Sequence, residues 1–138
     1  MKSIYSNLME LIKENLETPE VKEAKILTKK LEDVGKKKFF TKEQFYDVAM
    51  WKSPRPKRHY LKNSDKDIIN VSKLALNSDS ENQKVTLLTS LNGVSIAVAS
   101  ALLTIINPKD YGIIDIRVWQ LLHLYNEVKQ SPKDKDLI

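Results

Sequence analysis

A chain of 138 residues is about one domain, enough to bury a core without disulfides, and 41% hydrophobic with 30% charged residues is ordinary for a globular protein. The absence of cysteine excludes disulfides, zinc-thiolate sites and thiol nucleophiles, and three glycines and five prolines are few for the turns of a many-stranded β fold. The formal net charge of +5 is unevenly spread, since residues 1–76 carry 17 Lys and Arg against 11 Asp and Glu while residues 77–138 carry 6 against 7; such an excess suits a nucleic-acid partner but is also common without one.

Ile4, Leu8, Leu11, Ile12 and Leu16 keep helical spacing and predict an amphipathic first helix. Thr18 as N-cap and Pro19 at the first helical position restart the chain, and Val21, Ala24, Ile26 or Leu27, and Leu31 carry a second helix toward Gly35, its expected stop. Lys36 to Lys38 reads as a solvated connector, with a phosphate-facing patch as the alternative. Thr41 to Gln44 is a capping box that opens a third helix with Phe45, Val48, Ala49 and Trp51 as packing residues. That helix cannot extend far, because Pro54 and Pro56 follow. The segment from Lys52 to Lys62 holds five formal positive charges (Lys52, Arg55, Lys57, Arg58, Lys62) and no acid, stiffened by its two prolines.

Ser64 to Asp67 and Ser78 to Glu81 read as two more capping boxes, opening one helix with Ile68, Ile69, Val71, Leu74 and Ala75 inside and another that carries Val85, Leu87, Leu88 and Leu91. A tight turn at Asn92-Gly93 leads into a sixth helix over Ile96–Ile106, which Pro108 ends. A loop through Tyr111-Gly112 reaches Asp115, and a last helix is expected from Ile116 to about Lys129. The fold class is all-α, about seven helices. Residues 1–130 are taken as a single helical domain, with the two helices around the Asn92-Gly93 turn at 82–106, the Asp-bearing loop and last helix at 107–129, and a polar, frayed tail at 131–138.

The longest apolar run, Ile96–Ile106, is far short of the roughly 20 residues that span a bilayer. The N-terminus acquires acids within its first turns and lacks a signal-peptide apolar stretch, so no membrane association and a cytoplasmic location are expected. His59 sits in the basic loop and His123 among leucines; two histidines so far apart, with no local carboxylate cluster, argue against a transition-metal site.

Leu91-Asn92-Gly93-Val94-Ser95, then Ala99-Ser100-Ala101-Leu102-Leu103, then Asp115 before a helix containing Val118 and Trp119, resembles the helix-hairpin-helix DNA glycosylase superfamily over about a quarter of the chain. In that family a hairpin backbone grips DNA phosphates, often around a bound monovalent cation, and an Asp just before the next helix is catalytic. The resemblance implies that Asn92, Gly93, Val94 and Ser95 meet the phosphate backbone, with that cation as the sole candidate cofactor. Glycine at the turn lets the backbone approach a phosphate, and the free N–H groups of the following helix favour an anion. Three departures matter. Ala97 occupies the position of the Schiff-base lysine of bifunctional members, which rules out lyase chemistry through an amine there. Asn92 and Ser95 replace the usual proline and second glycine, with Ser95 suited to act as an N-cap. The chain also ends soon after Asp115, where members usually add helices that close the base pocket. The segment Trp51 to Pro56 is similar to one in small uncharacterised bacterial proteins that pair it with this hairpin, a likeness that carries no function.

Asp115 is expected to cap the last helix, a role that does not exclude stabilising an oxocarbenium-like sugar or activating water. Arg117 can pair with Asp115 or reach a phosphate, and Trp51 and Trp119 can stack on a base or fill the core. Three readings stand at this point: a DNA-binding domain that uses the hairpin with Lys52, Arg55, Lys57, Arg58 and Arg117 on the phosphate backbone; a monofunctional N-glycosylase using Asp115; and a protein-interaction domain in which the hairpin only packs helices.

Overall fold

The computed structural model describes residues 7–14, 19–127 and 129, and among them every regular element is a helix. In chain order these are α1 (Leu8–Glu14), α2 (Pro19–Lys30), α3 (Glu32–Lys37), α4 (Lys42–Lys52), α5 (Lys57–Tyr60), α6 (Asp65–Leu76), α7 (Glu81–Thr89), α8 (Ile96–Ile106) and α9 (Ile116–Leu124). The expectation of an all-α chain holds for them. Nine helices rather than about seven arise because the expected second helix breaks at Leu31 into α2 and α3, and because the proline segment winds one short turn, α5. No helix among the described residues is long and apolar enough to cross a membrane.

Contacts gather the chain into two compact units, one from Leu27 to Ile114 and the other from the segments Met1–Ile26 and Asp115–Ile138. In the first unit α8 is the central element. Val98, Ala99, Ala101, Leu102, Leu103 and Ile105 are all buried, so apolar residues face most directions around its axis, and a helix of that kind must be surrounded. It packs on α4, α7 and α3, while α6 packs on α7 and α4. Ala99 and Ala101, with no exposed surface, allow this close approach. Phe40, Phe45, Val48, Tyr60, Ile68 and Leu88 complete the core.

The helix ends show which local signals operate. Thr41 Oγ1 accepts from the Gln44 amide at 3.2 Å and Gln44 Oε1 accepts from the Thr41 amide at 3.1 Å, a reciprocal capping box as the sequence predicts. Ser64 likewise accepts from the Asp67 amide. The start of α7 differs from expectation. Its cap is Ser80, which accepts from the Gln83 amide, and Ser78 instead supports the approach by accepting from the Ser80 amide and donating to Gln83 Oε1. Both serines have a capping partner three residues on, and the later one lies next to the apolar helical face. Gly35 is not a stop either: it lies inside α3, and the chain turns at Lys38, which takes the left-handed conformation (φ 62°) and donates its amide to Val34. Thr18, the expected cap of α2, lies outside the described residues, as do Ile4 and Leu16. In the second unit, α9 stops at Leu124, short of the expected Lys129, and Asn126 follows in the left-handed region (φ 58°).

Candidate functional site

The turn between α7 and α8 is built from residues of opposite burial. Leu91 and Val94 are buried and anchor it to the core, while Asn92 and Ser95 are exposed. The last turn of α7 tightens, with the Ser90 and Leu91 amides donating three residues back to Leu87 and Leu88, and the Val94 amide then donates to the Leu91 carbonyl. Gly93 sits between them at φ +84°, in the region that side-chain-bearing residues avoid. Ser95 is in extended backbone and its hydroxyl accepts from the Val98 amide, so it caps α8 as expected. The amides of Gly93, Ser95, Ile96 and Ala97 find no acceptor among the described residues. They form a short run of open donors at the start of a helix whose dipole favours anions there. Ala97 carries no amine, so the turn offers donors and no nucleophile.

The basic segment lies against this turn. A β-carbon at Gly93 would fall 2.8 Å from Tyr60 Cδ1 and 3.0 Å from His59 Cβ, so the glycine backbone rests directly on α5. Tyr60 is 1% exposed, its hydroxyl donates to the Ser53 carbonyl at 2.9 Å, and its ring meets Phe45 edge-on at 5.8 Å. Burial pushes its phenol pKa up. Tyr60 therefore nails the segment to the core, while Arg55, Lys57, Arg58, His59 and Lys62 around it are exposed. Lys52 ends α4 and is half-buried. One residue further on, Asn63, 3% exposed, reaches across: its amide nitrogen donates to the Tyr60 carbonyl at 3.0 Å and to the Asn92 carbonyl at 3.1 Å, and its oxygen accepts from the Asn92 amide at 2.8 Å.

Two separate sequence features thus meet at Gly93 and Asn92. Lys57 and Arg58 belong to α5, the element that touches Gly93, and Arg55 precedes it, whereas Asn92 and Val94 are scaffold: Asn92 has both backbone polar groups held by Asn63, and Val94 is buried with its amide engaged. Tyr60 and Asn63 are the residues that sequence reasoning misses. The lone aromatic ring in a run of charges and prolines is a signal that could have found Tyr60. Asn63 gives no such signal, because its partner lies 29 residues away.

Asp115 and Arg117 belong to the other unit. Asp115 caps α9, its Oδ1 accepting from the Val118 amide at 2.8 Å and its carbonyl from the Trp119 amide, and it is half-buried. Arg117 is exposed, as is His123, and Trp119 is half-buried. No group of three or more His, Asp or Glu among the described residues is placed to hold a metal ion.

Comparison with known proteins gives no matching family model, no matching curated protein and no matching solved structure.

Proposed function

We propose that this chain is a DNA-binding protein of helix-hairpin-helix type that holds the phosphate backbone without reading base sequence. One observation supports the reading: Gly93, at positive φ, rests on Tyr60 and His59, which brings the turn before α8 against the segment that carries the exposed cations Arg55, Lys57, Arg58 and Lys62. Backbone N–H groups and exposed cations around a close-approach glycine are the donor set for phosphate oxygens, which carry no sequence information. Arg55, flanked by Pro54 and Pro56, loses less entropy on meeting a phosphate than a cation on a free loop. Arg117, on α9 of the other unit, is by itself a second candidate phosphate contact.

The test is duplex binding by fluorescence anisotropy over a salt series. The affinity should fall steeply with salt, with a slope of about −0.9 per phosphate neutralised, and should not depend on sequence. Replacing Arg55, Lys57 and Arg58 together by Gln should make the slope shallower by about 0.9 for each phosphate that is no longer neutralised. A folded protein that shows no salt-dependent binding would overturn the reading and leave the hairpin a helix-packing device. The glycosylase reading extends the proposal and has its own assay: base release from lesion-bearing duplexes, abolished by Asp115→Asn with binding retained, would establish it.

A further inference from the structure

An asparagine loses its side-chain ammonia when the next backbone nitrogen attacks Cγ. That attack needs a carboxamide free to move, an N–H without a partner, and a following residue small enough to let the two meet. Several asparagines of this chain fail one of these conditions. The Asn63 carboxamide is buried and bonded at both ends. The Asn77 carboxamide donates to the Lys73 carbonyl at 2.7 Å, and the next amide, that of Ser78, donates to Ala75. Asn107 is followed by Pro108, which has no N–H at all. Asn92 meets all three conditions. It is exposed, and its carboxamide has no partner among the described residues. The residue after it is Gly93, with no side chain to hinder approach and an amide that finds no acceptor among them either.

We propose that Asn92-Gly93 is a site of spontaneous modification, at which the turn before α8 converts its own neutral carboxamide into a carboxylate at a rate set by Asn63. The Gly93 nitrogen gives its proton to a solvent base and bonds to Asn92 Cγ; the Cγ–Nδ2 bond breaks, and ammonia leaves with a proton from solvent. Water then opens the five-membered imide at either carbonyl, which yields aspartate or isoaspartate. The sum is carboxamide and water to carboxylic acid and ammonia, with no change of oxidation state. The folded turn restrains the first step. Gly93 at φ +84° behind the Leu91–Val94 hydrogen bond, with no positive φ at Asn92, is the pattern of a type II turn, and ring closure requires rotation about the Asn92 Cα–C bond away from it. The Asn92 carbonyl and the Gly93 nitrogen share one peptide plane, so that rotation pulls the carbonyl off Asn63 Nδ2, 3.1 Å away. Asn63 is thus a positioning residue, a latch on the peptide that must turn. The chemistry is independent of the DNA-binding reading, but its consequence rests on it: a carboxylate at Asn92 stands beside the open amides of Gly93 and Ser95 and repels the phosphate proposed to meet them.

The experiment ages the full chain, its Asn63→Ala variant and the parent unfolded in urea side by side in mildly alkaline buffer. Peptide mapping by mass spectrometry, with aspartate and isoaspartate separated, follows each asparagine over time. In the folded parent, position 92 should be modified about tenfold faster than positions 63 and 77, with isoaspartate among the products, and Asn63→Ala should quicken it about tenfold again. A folded parent that keeps its Asn92 carboxamide while the unfolded chain loses it would overturn the proposal, and so would equal rates at Asn92 and Asn77. A folded Asn63→Ala variant that is modified no faster than the parent would overturn the role of Asn63. If that variant does not fold, hydrogen exchange of the Asn92 amide in the parent decides the point: exchange and modification should rise together in sub-denaturing urea, and modification that rises while the amide stays protected would overturn the latch. Asn92→Asp should bind duplex DNA severalfold more weakly than the parent, and equal affinity would overturn the consequence for binding. A parent that binds no duplex would instead overturn the DNA-binding reading and leave the modification chemistry standing, so the two failures are distinct.

Discussion

A methyl group at Gly93 would meet the Tyr60 ring at 2.8 Å, and that ring has nowhere to go, since its edge rests on Phe45 and its hydroxyl is tied to Ser53. The φ of +84° adds a second penalty for any residue with a β-carbon. Gly93→Ala should therefore destabilise the protein by about 2–4 kcal/mol in urea unfolding, the sum of a left-handed residue and a core clash. Gly35 is the control. It lies in the exposed part of α3, where a methyl group would have no neighbour within 4 Å, so Gly35→Ala should stabilise by about 0.5–1 kcal/mol through the loss of unfolded-state freedom. Opposite behaviour of the two glycines is not readable from sequence, because both stand beside runs that could end a helix. Asn63 is the harder case. Its neighbours Lys62 and Ser64 are exposed, and nothing local marks it as buried, since what buries it is the turn 29 residues later.

At the scale of elements, the signals that worked are those confined to four residues. The Thr41 box, the Ser95 cap and the Asp115 cap were all legible, because a short polar side chain and a following apolar helical face determine them locally. Signals that depend on which of two close candidates the core selects failed, as at Ser78 and Ser80. The α2–α3 break at Leu31 was hidden for the same reason: Leu31 and Val34 keep helical spacing across it, and both are buried. α3 is held at its polar side by Asp33, which accepts from Lys37 at 2.8 Å and from Gln44. The Lys37 hydrogen bond, ahead of smaller contributions, holds the Asp33 carboxyl below its ordinary 3.8. A depressed carboxyl contributes stability that is present above its unfolded pKa and lost as pH falls through its folded one. Acid titration should therefore loosen the α3–α4 connection below pH 3.8, and Asp33→Asn should flatten that part of a melting temperature–pH profile while leaving the neutral-pH helix content unchanged. On the far side of α7, Lys84 donates to Tyr111 Oη at 2.7 Å and Tyr111 to Glu81 at 3.0 Å, which fastens the 107–112 loop. Tyr111→Phe removes both bonds and should cost about 1–2 kcal/mol, read as earlier thermal unfolding.

Over the whole molecule, charge is distributed so that stability and the proposed DNA binding should respond to salt in opposite ways. Lys52, Arg55, Lys57, Arg58 and Lys62 crowd five positive charges into eleven residues without an acid among them, and all but Lys52 are exposed. The ion pairs Lys30–Asp47, Lys37–Asp33 and Lys84–Glu81 lie at the surface of the same unit, and pairs of that kind each contribute only about 0–1 kcal/mol. Salt at roughly 0.15 M, with a Debye length of about 8 Å, screens repulsion along the segment as well as these weak attractions. Because the segment's charges have no acid between them, relief of repulsion should win, and the free protein should melt a few degrees higher in about 0.15 M salt than near 0.01 M. The proposed duplex binding should weaken over the same interval by orders of magnitude, since each phosphate contact would release counterions. Substituting Arg55, Lys57 and Arg58 by Gln should shrink both responses together. A variant that loses the salt sensitivity of its melting temperature yet keeps the full salt slope of binding would show that the phosphates are met elsewhere, and the amides at the start of α8 would then have to act without the segment on which Gly93 rests.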